Sequence, residues 1–194
     1  MPNFYKELPE NAKVIKTIDA KDKKTMLIFN LVAIFIMIGS ILPIIILKDF
    51  TLESININPK DMLIGLAIYL AGTVGYIILH ELTHGVVYKT MTKEKLTFGL
   101  TLSCAFCGVP NIYVTKKTAL LSILAPFVVY TVVILPLIII LPANMINLAL
   151  VLIFGTHTSG CVGDLYGTFV LLKLKGNILM NDTGPKQTFY KIEK

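Results

Sequence analysis

The sequence predicts an all-α membrane protein: four transmembrane helices, with a short β-hairpin between helices 2 and 3. Three observations lead there. Of 194 residues, 55% are hydrophobic and only 15% charged, against about 25% charged in ordinary soluble domains. Four apolar runs, 26–47, 62–90, 118–141 and 143–172, each reach the ~20 residues a helix needs to cross a bilayer. The mean hydropathy is +0.74, and the charge that remains gathers near the ends of the runs. A chain of this length suits one domain, 1–194, with polar cytoplasmic tails at 1–25 and 173–194.

The first run is expected to stay as an anchor. Its polar leader is long and carries acids, its apolar stretch is too long for a signal peptide, and no small-residue cleavage site follows. Charge placement orients the set. All basic residues are lysines, with six before Met26 and only Lys48 and Lys60 between runs one and two. Five more (Lys89, Lys93, Lys95, Lys116, Lys117) flank the next connection, and five follow the last run. Lysine-rich loops stay inside, so both termini and the 91–117 connection are expected in the cytoplasm. The net charge of +6 is thus a topology signal. No nucleic-acid partner is expected, because no separate basic domain with interleaved aromatics is present.

The second run carries His80-Glu81-Leu82-Thr83-His84, an H-E-x-x-H pattern, followed by Gly85. Residues four apart share a helix face, so both imidazoles can reach one ion, while Glu81 stands aside where it can take a proton from water. Ionisable groups in an apolar span are costly and persist when they are paired, liganded or functional.

Between runs two and three, Leu96, Phe98, Leu100, Leu102, Cys104 and Phe106 alternate with Thr97, Gly99, Thr101, Ser103 and Ala105. That is the period of a strand. Gly108–Asn111 reads as a turn and Ile112–Val114 as a short return strand. Such a hairpin either offers an edge to an extended peptide or seals the bundle. Cys104 and Cys107 form a lone C-x-x-C, half of a structural zinc site; with Cys161 they are read as packing residues.

The fourth run supplies the remaining candidates. A catalytic zinc site usually takes three protein ligands. The chain has three histidines (His80, His84, His157), and only Glu81 and Asp164 are acids deep in apolar runs. His80 precedes Lys89 by nine residues and Asp164 precedes Lys173 by nine, which predicts similar depth in parallel spans. Asp164 is therefore read as the third metal ligand with His80 and His84, binding Zn2+. His157, seven residues before Asp164 on one expected helix face, is read with Glu81 as catalytic, its role open between ligand, partner of a ligand and donor to an oxyanion. Gly160, Gly163 and Gly167 on span four, and Gly72 and Gly75 on span two, are expected to let these helices approach closely.

HELTHG in a membrane span and a later Gly163-Asp164-Leu165 in the last span resemble the small bacterial zincin membrane metallopeptidases, over about 71–173. The motif pair alone is also similar to the site-two proteases, intramembrane zinc enzymes with H-E-x-x-H on one span and an aspartate on a later one. The resemblance implies His80, His84 and Asp164 as zinc ligands, Glu81 as base, and a bacterial plasma-membrane setting. The chain departs from the site-two pattern, in which the aspartate precedes glycine and an asparagine stands ahead of it. A zinc metallopeptidase acting on a membrane-protein or peptide substrate at the inner side of the lipid bilayer is the leading reading. Two others stay open: a small ion- or proton-coupled carrier, which with so few spans would need a homodimer, and a non-catalytic zinc-binding membrane protein.

Overall fold

The structure is a computed structural model and describes residues 2–55, 57–101 and 104–193. Helices and strands alternate along it. Strands β1 (Phe4–Tyr5) and β2 (Ala12–Asp19) precede helices α1 (Lys23–Leu47) and α2 (Pro59–Thr92). Strands β3 (Thr97–Leu100), β4 (Ala105–Gly108) and β5 (Tyr113–Thr115) lead into α3 (Lys116–Ile140). Helices α4 (Met145–Gly160) and α5 (Val162–Lys173) follow, then β6 (Ile178–Asp182) and β7 (Lys186–Ile192). Three helices, α1, α2 and α3, are long and apolar enough to cross a membrane; α4 and α5 make a fourth span if the broken pair is taken together.

The chain packs as two units. One comprises 1–29, 80–126 and 163–194, the other 30–79 and 127–162.

The first unit is built on an antiparallel five-stranded sheet in the order β1-β5-β6-β7-β2. This corrects the all-α expectation, and it also corrects the reading of both ends as polar tails. The sheet forms because short apolar stretches from distant parts of the chain alternate with polar residues and bury one another. Val114, Ile178, Met180 and Phe189 are buried and pack on Tyr88, Ile123 and Leu171 of the helices. Between β6 and β7 the chain turns through Thr183-Gly184-Pro185, and Gly184 has φ +94°, a left-handed conformation that glycine adopts without steric cost. The edge strand β2 is bulged between Val14 and Lys16, which blunts an otherwise open edge.

The expected hairpin exists, in a different register. Phe98 pairs with Cys107 and Leu100 with Ala105, so β3 and β4 are joined between Leu100 and Ala105 rather than at Gly108–Asn111. Within the presumed single strand, Leu102 and Ser103 lie outside the described residues, as do Met1 and Lys194 of the tails. Thr101 closes the turn: its Oγ1 accepts from the Cys104 N–H at 3.0 Å, and its own N–H donates to the Cys104 carbonyl at 2.8 Å. Ile112–Val114 does not return along this hairpin. The strand there is β5, which pairs with β1 and β6 in the larger sheet.

The second unit is helical. Ile134, Ile138, Val151, Ile153 and Phe154 form its core, with Ile41, Ile44 and Tyr69 against them. Gly72 permits close approach here, since a Cβ would fall 2.5 Å from Ile153 Cδ1, while Gly75 has open space. Pro59 opens α2 behind Asn58, whose Oδ1 accepts the Asp61 N–H at 2.9 Å. Buried Asn147 caps the end of α3, its Nδ2 donating to the carbonyls of Ile138, Leu141 and Pro142. α4 ends at Cys161, whose N–H reaches the carbonyls of His157 and Ser159. The fourth run is thus not one helix over 143–172. His157 and Asp164 lie on different helices, and the seven-residue face argument fails at the break.

Candidate metal centre

His80 and His84 sit one turn apart on α2, both buried. Their Nε2 atoms face each other at 3.2 Å. Asp164, in the first turn of α5, where a carboxylate suits the helix dipole, brings Oδ2 to 3.2 Å from His80 Nε2 and 3.5 Å from His84 Nε2. Three donors of the types N, N and O therefore converge within the sheet-bearing unit.

The spacing is that of a metal site. With bonds of about 2.0–2.1 Å in a tetrahedron, neighbouring donors stand about 3.3 Å apart. The set fits zinc in donor type as well.

The supporting contacts point the same way. His84 Nδ1 lies 2.8 Å from the carbonyl oxygen of Ser122 on α3. A carbonyl only accepts, so Nδ1 donates there, and Nε2 is the nitrogen turned towards His80 and Asp164. Glu81 is half-buried one residue after His80. Gly85 explains why the motif ends in glycine: a Cβ there would stand 2.8 Å from Phe98 Cζ of β3. The hairpin thus lies directly on the helix that carries the histidines and Glu81.

The family described as "Putative zincin peptidase" matches residues 73–179. The chain belongs to this family. The matched stretch includes His80, Glu81, His84, His157 and Asp164, and zincin membership implies zinc and peptidase chemistry for this chain. No curated protein and no solved structure matches it.

His157, in the helical unit of this zincin-family chain, has a different environment. It is fully buried, its Nδ1 at 3.1 Å from the Tyr76 hydroxyl and its Nε2 at 3.0 Å from Thr131 Oγ1. Phe127 stacks on the ring, with Tyr130 and Phe154 around it. The glycines expected to bring span four onto span two divide: a Cβ on Gly160 would stand 3.9 Å from the Tyr76 hydroxyl of α2, and the others on this run lie elsewhere. Gly167 lies against Gln187 of β7 and Ile123 of α3, and Gly163 only grazes Phe29. Cys107 is a buried core thiol whose pKa is pushed up to about 12 by burial and by the charges of Glu81 and Asp182. It is therefore inert as a nucleophile near neutrality.

One buried acid escaped the sequence reading. Asp182, at the end of β6, is 3% exposed and accepts the Tyr88 hydroxyl on Oδ2 at 2.6 Å and the Gly184 N–H on Oδ1 at 2.9 Å. Its pKa is pushed up to about 6 by burial, against the lowering effect of those hydrogen bonds. The available signal was Asn181-Asp182-Thr183-Gly184-Pro185 between two short apolar stretches, which is hairpin chemistry with an acid at its first corner.

Proposed function

We propose that this chain is a zinc-dependent, membrane-embedded metallopeptidase that hydrolyses a peptide bond near the cytoplasmic side of the membrane. The observation that carries the reading is the convergence of His80 Nε2, His84 Nε2 and Asp164 Oδ2 within 3.5 Å of one another, one residue from a carboxylate free of the ligand role. When bound, zinc supplies Lewis acidity at the scissile carbonyl and makes water easier to deprotonate. Glu81 takes the proton from the attacking water and returns it to the departing amine. Strand β3, mostly exposed and laid on α2 at Gly85, offers an edge to an extended substrate segment. The lysine distribution supports cytoplasmic termini and a cytoplasmic 91–117 connection. His157 is assigned a packing role, because hydroxyls meet both ring nitrogens.

The test is hydrolysis of a quenched fluorescent peptide library by protein reconstituted in vesicles. Cleavage should stop on chelation, return with added zinc, and be missing in His80→Ala. Zinc-loaded protein that cleaves no peptide would leave a non-catalytic zinc-binding membrane protein. Zinc-free protein that carries ions in a Glu81- and Asp164-dependent way would leave a carrier.

A further inference from the structure

Tyr88 lies four residues beyond His84 and seven beyond Glu81, so it continues the same side of α2 for one more turn. It is fully buried, yet its hydroxyl finds Asp182 at 2.6 Å. Asp182 is a junction. Its Oδ1 holds the β6–β7 turn through the Gly184 N–H, and its backbone carbonyl accepts the Val109 N–H at 2.8 Å, immediately after β4. That turn presses on β4: a Cβ on Gly108 would fall 2.5 Å from Gly184 N. One residue before Gly108, Cys107 pairs with Phe98, which lies against Gly85 of α2. A closed path therefore runs from Glu81 along α2 to Tyr88, across to Asp182, into β4, and through Phe98 back to α2 at Gly85, one turn beyond Glu81. His84 is tied separately, through Ser122 on α3.

We propose that Tyr88 and Asp182 are positioning residues, a clamp that holds the helix bearing Glu81 and strand β4 in register so that the β3–β4 hairpin keeps its place beside Glu81. Neither residue touches the converging donors of His80, His84 and Asp164 through any contact described above. The clamp governs the place of the hairpin beside the base and leaves metal capture to the ligands. In its catalytic consequence it rests on the peptidase reading; in its structural consequence it does not.

The experiment uses the full chain in detergent, with Tyr88→Phe, Asp182→Ala and Asp182→Asn. Hydrogen exchange is followed over 105–109, zinc(II) affinity by competition with a chromophoric chelator, and peptide turnover on the library above. Tyr88→Phe and Asp182→Ala should speed exchange over 105–109 by about tenfold, the worth of one buried hydrogen bond. Zinc affinity should stay within about threefold, since no ligand is changed, and kcat should fall with KM held. Asp182→Asn is isosteric, and its amide can accept from Gly184 and donate to the Tyr88 oxygen, so it should restore wild-type exchange and kcat. Unchanged exchange in both disrupting variants would overturn the clamp, as would an Asp182→Asn as loose as Asp182→Ala. Zinc affinity falling as far as in an Asp164 variant would overturn it too. Wild type that cleaves nothing while the exchange and zinc results hold would count against the peptidase reading and for the clamp.

Discussion

The chain buries two sets of histidines in contrasting ways. On α2, His80 and His84 turn nitrogens towards each other and towards a carboxylate, an arrangement in which three donors crowd one point. On α4, His157 turns its nitrogens to two hydroxyls, Tyr76 and Thr131, under a stacked Phe127. Both are buried, and both lie in apolar stretches. The difference is in the partners. Hydroxyls donate or accept as the ring requires, whereas two imidazoles and a carboxylate at 3.2–3.5 Å bring together the donor types that the proposed zinc site would use. Burial alone does not separate these histidines; what their nitrogens face is the basis on which the proposed function separates them.

The largest effect that could sharpen this contrast is at Glu81. Glu81→Gln should retain zinc while turnover falls by about a thousandfold, the usual worth of a general base; metal analysis beside a kinetic assay reads both. Asp164→Asn comes next, with zinc affinity dropping by more than about a hundredfold, beyond what loss of a mere supporting contact costs. Chelator competition measures it, and unchanged affinity would send the third donor elsewhere.

Acidity probes the sheet-bearing unit through Asp182, whose folded pKa of about 6 stands above its ordinary value near 4. Between about pH 4 and 6 the folded protein keeps this proton and the unfolded chain has lost it, so stability falls as pH rises through that window. The expected loss is about 3 kcal/mol at most. Thermal unfolding in detergent should show the slope, and Asp182→Asn should flatten it. The smallest effect is at the other histidine. Thr131→Val, which removes one partner of His157, should cost about 1–2 kcal/mol of stability and leave zinc content alone. Lost zinc in that variant would break the distinction drawn between the two sets.

The ligand candidates were legible because i, i+4 spacing on an apolar helix leaves few alternatives, and because equal counts to Lys89 and Lys173 placed Asp164 level with His80. The helices were legible from length and composition. The sheet was not. Its strands come from both ends and the middle of the chain, run two to eight residues, and carry lysines that read as tail. Pairings of that separation leave no local period longer than a few residues. The break at Cys161 was hidden because hydrophobicity continues across it, although Ser159-Gly160-Cys161-Val162-Gly163 has the small residues at which a helix can stop. Asp182 was missed with the strand that bears it, and Tyr88 was passed over as one more apolar residue of the second span.

The most direct measurement is the zinc content of detergent-purified protein, wild type beside Asp164→Ala and Thr131→Val. The account predicts about one zinc per chain in wild type and in Thr131→Val, and close to none in a folded Asp164→Ala, as expected for a site of three protein donors. Zinc held at full occupancy and unchanged affinity by Asp164→Ala would contradict it.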